Sequence, residues 1–261
     1  MDREPVIIVK NLTARFGSNL VFENVNFEVY KGEILVIVGE SGCGKSTLLK
    51  ILIGLQKPSS GQVLYQGTDI VSADDDRLNE YRRNIGVLFQ SAALFSSMTI
   101  RENIALPLQE YTSLDADAIS DVIKMKLGMV NLAGYENHYP AELSGGMKKR
   151  AGIARAMALD PRILFFDELS AGLDPVTAVE LDDLIIKTNE ALNATMLIVT
   201  HELESIYKIA HRVLMLDKDA KGIIAEGKPR DLKEQATDPR VKSFFLRQLP
   251  AQTGPQRFYV N

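Results

Sequence analysis

The sequence contains a single cysteine, Cys43, so no intramolecular disulfide can form, and a lone thiol fits a reducing compartment. It has no run approaching the roughly 20 apolar residues that span a bilayer. The start, MDREPVIIVKN, has acidic flanks and an apolar stretch too short for a secretory signal. The chain is therefore expected to stay in the cytosol. A basic surplus is missing too: 30 Lys and Arg face 34 Asp and Glu, for a formal net charge of -4, and the cations are scattered. Neutralising a phosphate backbone needs a concentrated basic face, so no nucleic acid is expected as a partner. Internal repeats and low-complexity stretches are also lacking. What is there is an ordinary globular composition, 46% hydrophobic and 25% charged over 261 residues, enough for one domain with a subdomain.

Short apolar runs bounded by polar turns predict strands at VIIVK (Val6 to Lys10), VNFEVY (Val25 to Tyr30), ILVIV (Ile34 to Val38), QVLYQ (Gln62 to Gln66) and IGVLF (Ile85 to Phe89). From about Ile100 to Leu159 the period becomes that of amphipathic helices, in IRENIALPLQE, AISDVIKMKLGMV and GGMKKRAGIARAMAL. Strands return at RILFFD, TMLIVT, RVLMLD and GIIAEG, with TAVELDDLIIKTNEALN as a helix between the first pair. Alternating strands and helices interrupted by a helical block predict an α/β core with a helical insertion. The end, LPAQTGPQRFYVN, loses periodicity at Pro250, Gly254 and Pro255 and predicts an extended tail. Such a tail is usually a disordered terminus, but its RFYV, Arg257 to Val260, has the composition of an anchor.

GESGCGKST, from Gly39 to Thr47, fits G-x-x-x-x-G-K-[ST], follows the strand ILVIV and leads into the helical run LLKILIGL. Its glycines let backbone N–H groups approach phosphates, Lys45 reaches the β and γ phosphates, and the Ser46 hydroxyl can ligate Mg²⁺. Cys43 fills a variable position of this loop. In RILFFDE, an apolar strand ending in two carboxylates puts Asp167 at the carboxyl edge of a sheet, where it can hold Mg²⁺ through water. Glu168 follows, where a general base could orient the attacking water. LSGGMKKR, from Leu143 to Arg150, admits two readings, an ordinary helix capped by Ser144 and a second phosphate-binding turn. His201 and Gln90 each end a strand, while His138 and His211 are read as structural.

The phosphate loop, Gln90 in LFQ, LSGGMKKR, ILFFDE, SAGLD (Ser170 to Asp174) and Thr200-His201 occur in the order and spacing of ATP-binding cassette ATPases. The chain resembles that family from about residue 5 to 245. The resemblance implies a P-loop NTPase core of the RecA-like α/β kind, with an antiparallel β subdomain and an inserted α-helical subdomain. Residues 1–92 and 155–236 would form the core, 93–154 the helical signature subdomain, and 237–261 a C-terminal helix and extended tail. ATP and Mg²⁺ are the implied cofactors. Gly39, Glu40, Ser41, Gly42, Cys43, Gly44, Lys45, Ser46 and Thr47 would hold the phosphates, and Phe16 in ARFGSN would stack on adenine. Ser46, Gln90 and Asp167 would hold the metal, and Glu168, His201 and Gln90 would serve catalysis. In this family two cassettes meet head to tail. Ser144, Gly145, Gly146 and Asp174 would therefore act in trans, on the nucleotide held by the partner, which accounts for two phosphate-binding sequences in one chain.

Met147 stands where glutamine is usual after LSGG, and resembles the lineage that energises lipid movement with Mce-type proteins. The segment from Phe89 to Leu108 and the ending DPRVKSFF are similar to the same lineage. Leu169 replaces a common proline, which relaxes the expected rigidity of that turn and leaves the carboxylates intact. The resemblance implies a homodimeric ATPase of an Mla-type phospholipid transporter at the cytoplasmic face of a bacterial inner membrane. Implied partners are a multi-spanning permease (MlaE-like), a STAS-domain protein (MlaB-like) and a membrane-anchored Mce-domain protein (MlaD-like), with membrane association only through the permease. Leu94, Phe95 and Met98 are read either as an apolar socket for a permease helix or as subdomain core. The alternatives are a cassette for a polar solute and a non-transport cassette ATPase.

Overall fold

The computed structural model describes residues 4–246, so the expected tail from Leu249 to Asn261 lies outside the described residues. The described chain opens with β1 (Pro5–Phe16) and β2 (Asn19–Tyr30), an antiparallel pair. Both strands run well past the predicted segments. Register shifts flank Leu12, and Asn11 adopts a left-handed φ of 49°, so the strict alternation that marks a strand in sequence breaks there. After β3 (Ile34–Val38) and helix α1 (Lys45–Leu52), β4 (Ser60–Tyr65) and the two-residue β5 (Thr68–Asp69) complete a four-stranded sheet in the order β2-β1-β4-β5.

Helix α2 (Asp75–Arg83) escapes the periodicity argument because among its residues only Tyr81 is buried. It forms on its ends instead: Asp74 accepts from the Arg77 N–H, Asp75 and Asp76 occupy the first turn, and Arg82 and Arg83 the last. Between β6 (Ile85–Leu88) and β7 (Ile163–Asp167) run α3 (Ile100–Tyr111), α4 (Ala116–Met129) and α5 (Gly145–Ala156). A reciprocal Thr99–Glu102 capping box starts α3. Helix α6 (Pro175–Leu192), β8 (Thr195–Val199), α7 (Leu203–Ile209), β9 (Arg212–Asp217), β10 (Gly222–Gly227), α8 (Pro229–Gln235) and α9 (Pro239–Leu246) complete the order.

The second sheet runs β10-β9-β3-β8-β7-β6, parallel except for β10. Its central strands β3, β7 and β8 are continuous apolar runs because both faces are covered. Val36, Phe166, Ile198 and Met215 face the side packed by α3 to α7, while Ile37, Phe165, Leu197 and Leu214 face α1 and the antiparallel sheet. Successive side chains thus feed two cores from one strand. The parallel arrangement brings the carboxyl ends of β3, β6, β7 and β8 to one edge, where loops that bind a ligand collect.

Candidate functional site

The loop after β3 is shaped by glycines that nothing larger could replace. At Gly39, φ is +145° and a Cβ would sit 2.2 Å from the Leu216 carbonyl oxygen. Gly44, at φ +102°, caps α1, and a Cβ there would lie 2.7 Å from Val21 Cγ1. The loop therefore lies tight against β2 and β9, with its N–H groups at the start of a helix. The Lys45 ammonium donates to the Gly39 and Glu40 carbonyls at 2.8 and 3.0 Å, bridging the loop. Cys43 is buried beneath it, and burial pushes the thiol up, which suits a small filler rather than a reactive thiolate.

A cleft of about 780 Å³ opens above this loop, lined among others by Phe16, Lys45, Ser46, Gln90, Glu168 and His201. These residues come from the ends of five separate segments, and the fold converges them. Phe16 stands half exposed at the rim. Asn19, Val21 and Phe244 also line the cleft, and sequence reasoning did not single them out. A second cleft of about 810 Å³, bordered by Tyr65, Arg162 and Thr195, contains none of the predicted residues.

Glu168 has a left-handed φ of 51°, unusual for a side-chain-bearing residue, and its N–H donates to the Val199 carbonyl at 2.9 Å. This bend lifts its carboxylate out of the strand direction towards His201, whose Nδ1 lies 3.1 Å from Oε1 and 2.8 Å from Oε2. Oε2 itself makes no well-aligned hydrogen bond. Leu169 is buried in the core beneath the turn, and Ala171 and Leu173 N–H groups close it on the Glu168 and Ser170 carbonyls. Hydrophobic anchorage and two turn bonds do here what a proline ring would do by restricting φ.

Asp167 ends β7 with a buried Oδ1 that has no hydrogen-bond partner. Burial pushes its carboxyl up and so does the Glu168 charge, against Lys45, Lys50 and Lys149. A buried, unpaired carboxylate oxygen is costly unless something positive meets it, and with a hydroxyl at Ser46 and an amide at Gln90 in the adjoining cleft the donor set is all oxygen. That set fits a small hard cation such as Mg²⁺.

Ser144, Gly145, Gly146 and Asp174 are not among the residues that line this cleft. Ser144 caps α5, accepting from the Met147 N–H at 3.3 Å, and Asp174 caps α6, accepting from Val176 and Thr177 N–H groups at 3.1 and 3.0 Å. The two helix starts adjoin: a Cβ on Gly146 would lie 2.4 Å from Thr177 Cγ2, and one on Gly145 would lie 3.4 Å from Leu173 Cδ2. Ser144 and Gly145 are exposed, while Met147 packs its side chain on the core. The capping reading of Ser144 holds, and such a cap leaves a positive helix end facing outward.

Lys149 is the functional candidate that sequence reasoning missed. It is 5% exposed, and its ammonium donates to the Gln90 carbonyl and, at 3.1 Å, to the Glu168 carbonyl. Its only sequence signal is a lysine on the buried stripe of α5, shared with Gly146, Gly152 and Ile153.

The model of the ABC transporter family matches residues 22–171. The chain belongs to the ABC transporter family. It is an ABC-type ATPase, the ATP-binding subunit of such a transporter, and the family binds ATP. The intermembrane phospholipid transport system ATP-binding protein MlaF of Haemophilus influenzae is 42% identical over 253 residues, 97% of this chain and 94% of that protein. A probable ribonucleotide transport ATP-binding protein, mkl of Mycobacterium leprae, is 43% identical over 92% of this chain and 68% of its own length. The methionine import protein MetN of Brucella abortus is 42% identical, and the matched region spans 60% of it. Among solved structures, the dimeric, post-hydrolysis cassette MJ0796 bound to ADP and Pi has a TM-score of 0.77 at 33% identity, covering 85% of this chain and 98% of that one. CbiO1 of Clostridium perfringens, part of the transporter complex cbiONQ, has a TM-score of 0.81 at 26% identity, covering 89% and 92%.

Proposed function

We propose that this ATPase powers phospholipid transport between bacterial membranes, as a homodimer on the cytoplasmic face of the inner membrane beneath an MlaE-like permease, with MlaB-like STAS and MlaD-like Mce-domain partners. The observation that carries this reading is the end-to-end likeness to MlaF, 97% of this chain against 94% of that protein, where the MetN match spans 60% of its entirety. Residues 93–154 are the signature subdomain in this reading, set into the core of residues 1–92 and 155–236.

Phosphoryl transfer needs little covalent help from a protein, and mostly position and neutralised charge. The loop from Gly39 to Thr47 supplies N–H groups, and Lys45 exchanges its carbonyl partners for β and γ phosphate oxygens. Phe16 stacks on the adenine from the rim. Ser46, Asp167 and Gln90 hold Mg²⁺, which when bound offsets phosphate charge. Glu168 accepts the proton of the attacking water as its oxygen bonds to the γ-phosphorus and the β–γ bridging bond breaks. His201, in contact with Glu168, orients that carboxylate and reaches the γ-phosphate. Ser144, Gly145, Gly146 and Asp174 of one cassette close over the nucleotide of the other, consistent with the dimeric MJ0796 structures. That assigns the two phosphate-binding sequences to two composite sites.

A groove of about 610 Å³ beyond Gln90 is the coupling surface in this reading, with Val87, Phe95, Leu106, Pro107 and Tyr111 along it. Phe95 is half exposed there, with the Arg155 guanidinium 5.9 Å from its ring centre, whereas Leu94 packs on the core. Exposure of Phe95 supports the socket reading, while Leu94 and Met98 do not line the groove. Among the described residues no helix is long and apolar enough to cross a membrane, so work must pass through such a surface.

Reconstitution tests the proposal. The chain should co-purify from membranes with a multi-spanning protein, and phospholipid should stimulate ATP hydrolysis by that complex where methionine and ribonucleotides do not. Stimulation by either polar solute would move the assignment to the reading favoured by the mkl and MetN relatives.

A further inference from the structure

Lys149 has no place in the mechanism above, yet it is a lysine 5% exposed in the second turn of α5, the helix that LSGG opens. Burying an ammonium is costly unless its donors are used, so its partners show what it is for. They are two backbone carbonyls, from Gln90 at the end of β6 and from Glu168 at the end of β7. Both are the main-chain groups of residues whose side chains enter the cleft.

Both segments also need holding. Glu168 sits at a left-handed φ of 51°, and Ala92 and Ala93, just after Gln90, sit at 62° and 48°. Side-chain-bearing residues keep such a conformation only where surroundings over-determine it. Helix α5 supplies the surroundings on the Gln90 side twice, since Arg155, two turns beyond Lys149, donates to the Ala93 and Ala92 carbonyls at 2.8 and 3.3 Å. On the Glu168 side the carbonyl receives Lys149, while its N–H is tied to Val199.

We propose that Lys149 is a positioning residue for hydrolysis: one ammonium, donating to the Gln90 and Glu168 carbonyls, sets the spacing of these two groups in the cleft and ties it to the position of α5. The helix whose first residues would face the partner's nucleotide is thereby braced against the groups that act on its own. This rests on the reading of Glu168 as general base. A group one residue removed from the chemistry acts on turnover and leaves binding alone, because ATP is held by the loop from Gly39 to Thr47, which Lys149 does not touch.

The test compares ATP affinity and steady-state hydrolysis of the full-length chain with those of Lys149→Met, Lys149→Arg, Lys149→Gln and Glu168→Gln. Methionine keeps the volume and removes every donor. The expected result for Lys149→Met is wild-type ATP affinity with kcat down about a hundredfold, the cost of a misplacement on the order of 1 Å. Arginine or glutamine, which restore donors, should recover part of that rate. Wild-type kcat in Lys149→Met overturns the proposal. So does failure of both donor-bearing variants to recover any rate, and so does loss of ATP binding in all three, which would make Lys149 a folding residue. Normal hydrolysis by Glu168→Gln removes the base assignment instead, whereas stalled Glu168→Gln beside a fully active Lys149→Met removes only the role of the lysine.

Discussion

At the scale of single residues, the proposed mechanism separates holding from reacting. Among the described residues Lys45 is the only lysine lining the cleft, and its ammonium bridges two loop carbonyls. Lys45→Ala should weaken ATP binding by about 2–3 kcal/mol, roughly thirtyfold to more than a hundredfold, the worth of a charge-assisted hydrogen bond. Calorimetric titration checks this, and unchanged affinity would take the loop out of the nucleotide site. Glu168→Gln should behave in the opposite way. The amide keeps the shape, and its contact with His201 can persist, but it cannot take a proton, so hydrolysis should fall by about 10²–10⁴ while ATP stays bound. A single-turnover assay separates the two, and a normal rate would mean that another group is the base. Glu168, Asp167 and Lys45 were legible in sequence because each belongs to a short contiguous motif. Lys149 was not, because its partners are main-chain carbonyls, and a carbonyl carries no residue-type signature.

At the scale of elements, the helical block packs on the sheet through one apolar core, to which a buried lysine adds a charged link. Lys126, on α4 and 1% exposed, pairs with Asp160 in the turn before β7, and Asp160 itself has a left-handed φ of 50°. Asp160→Asn keeps a side chain that tolerates this φ but removes the charge facing Lys126; since the Asp160 side chain is 70% exposed and screened by water, stability should drop by about 1 kcal/mol. Lys126→Met removes the buried charge together with its demand for a partner, and should be close to neutral or stabilising. Thermal unfolding of both variants decides the matter: equal losses would show that the contact itself, not the burial of a charge, holds α4 to the core. The helices from α3 to α6 and the six strands of the mainly parallel sheet were legible from their apolar patterns, whereas β1 and β2 were seen only in part and β5 was missed. Helix α2 was not, since it is stabilised by Asp74, Asp75 and Asp76 at its start and by basic residues at its end.

At the scale of the whole molecule, the exposed starts of α5 and α6 lie outside the cleft that holds the phosphate loop, and in the proposed dimer each would complete the site of the partner. Ser144→Arg should leave ATP binding by one chain intact and abolish hydrolysis, because the added side chain blocks the surface that would meet the partner's nucleotide. Mixing Ser144→Arg chains with Lys45→Ala chains makes the geometry measurable. If LSGG acts in trans, the mixed dimer places both lesions in one site and leaves the other whole, and hydrolysis returns above that of either variant alone. If it acts in cis, each site of the mixed dimer carries one lesion and no activity returns.

The sequence by itself determined the family, the phosphate loop, the carboxylate pair and the order of the main strands and helices, since each is written in contiguous residues or in a short period. Tertiary structure alone decided which of these residues share a cleft. It placed Gln90, Glu168 and His201 around Lys45, left Ser144 and Asp174 out of that lining, put Phe244 of α9 beside the loop, and closed Lys149 over the ends of two strands. The physical reason is range. Helix capping, strand alternation and glycine φ are settled within a few residues, whereas a parallel sheet aligns strand ends from distant parts of the chain only when both of its faces have been buried.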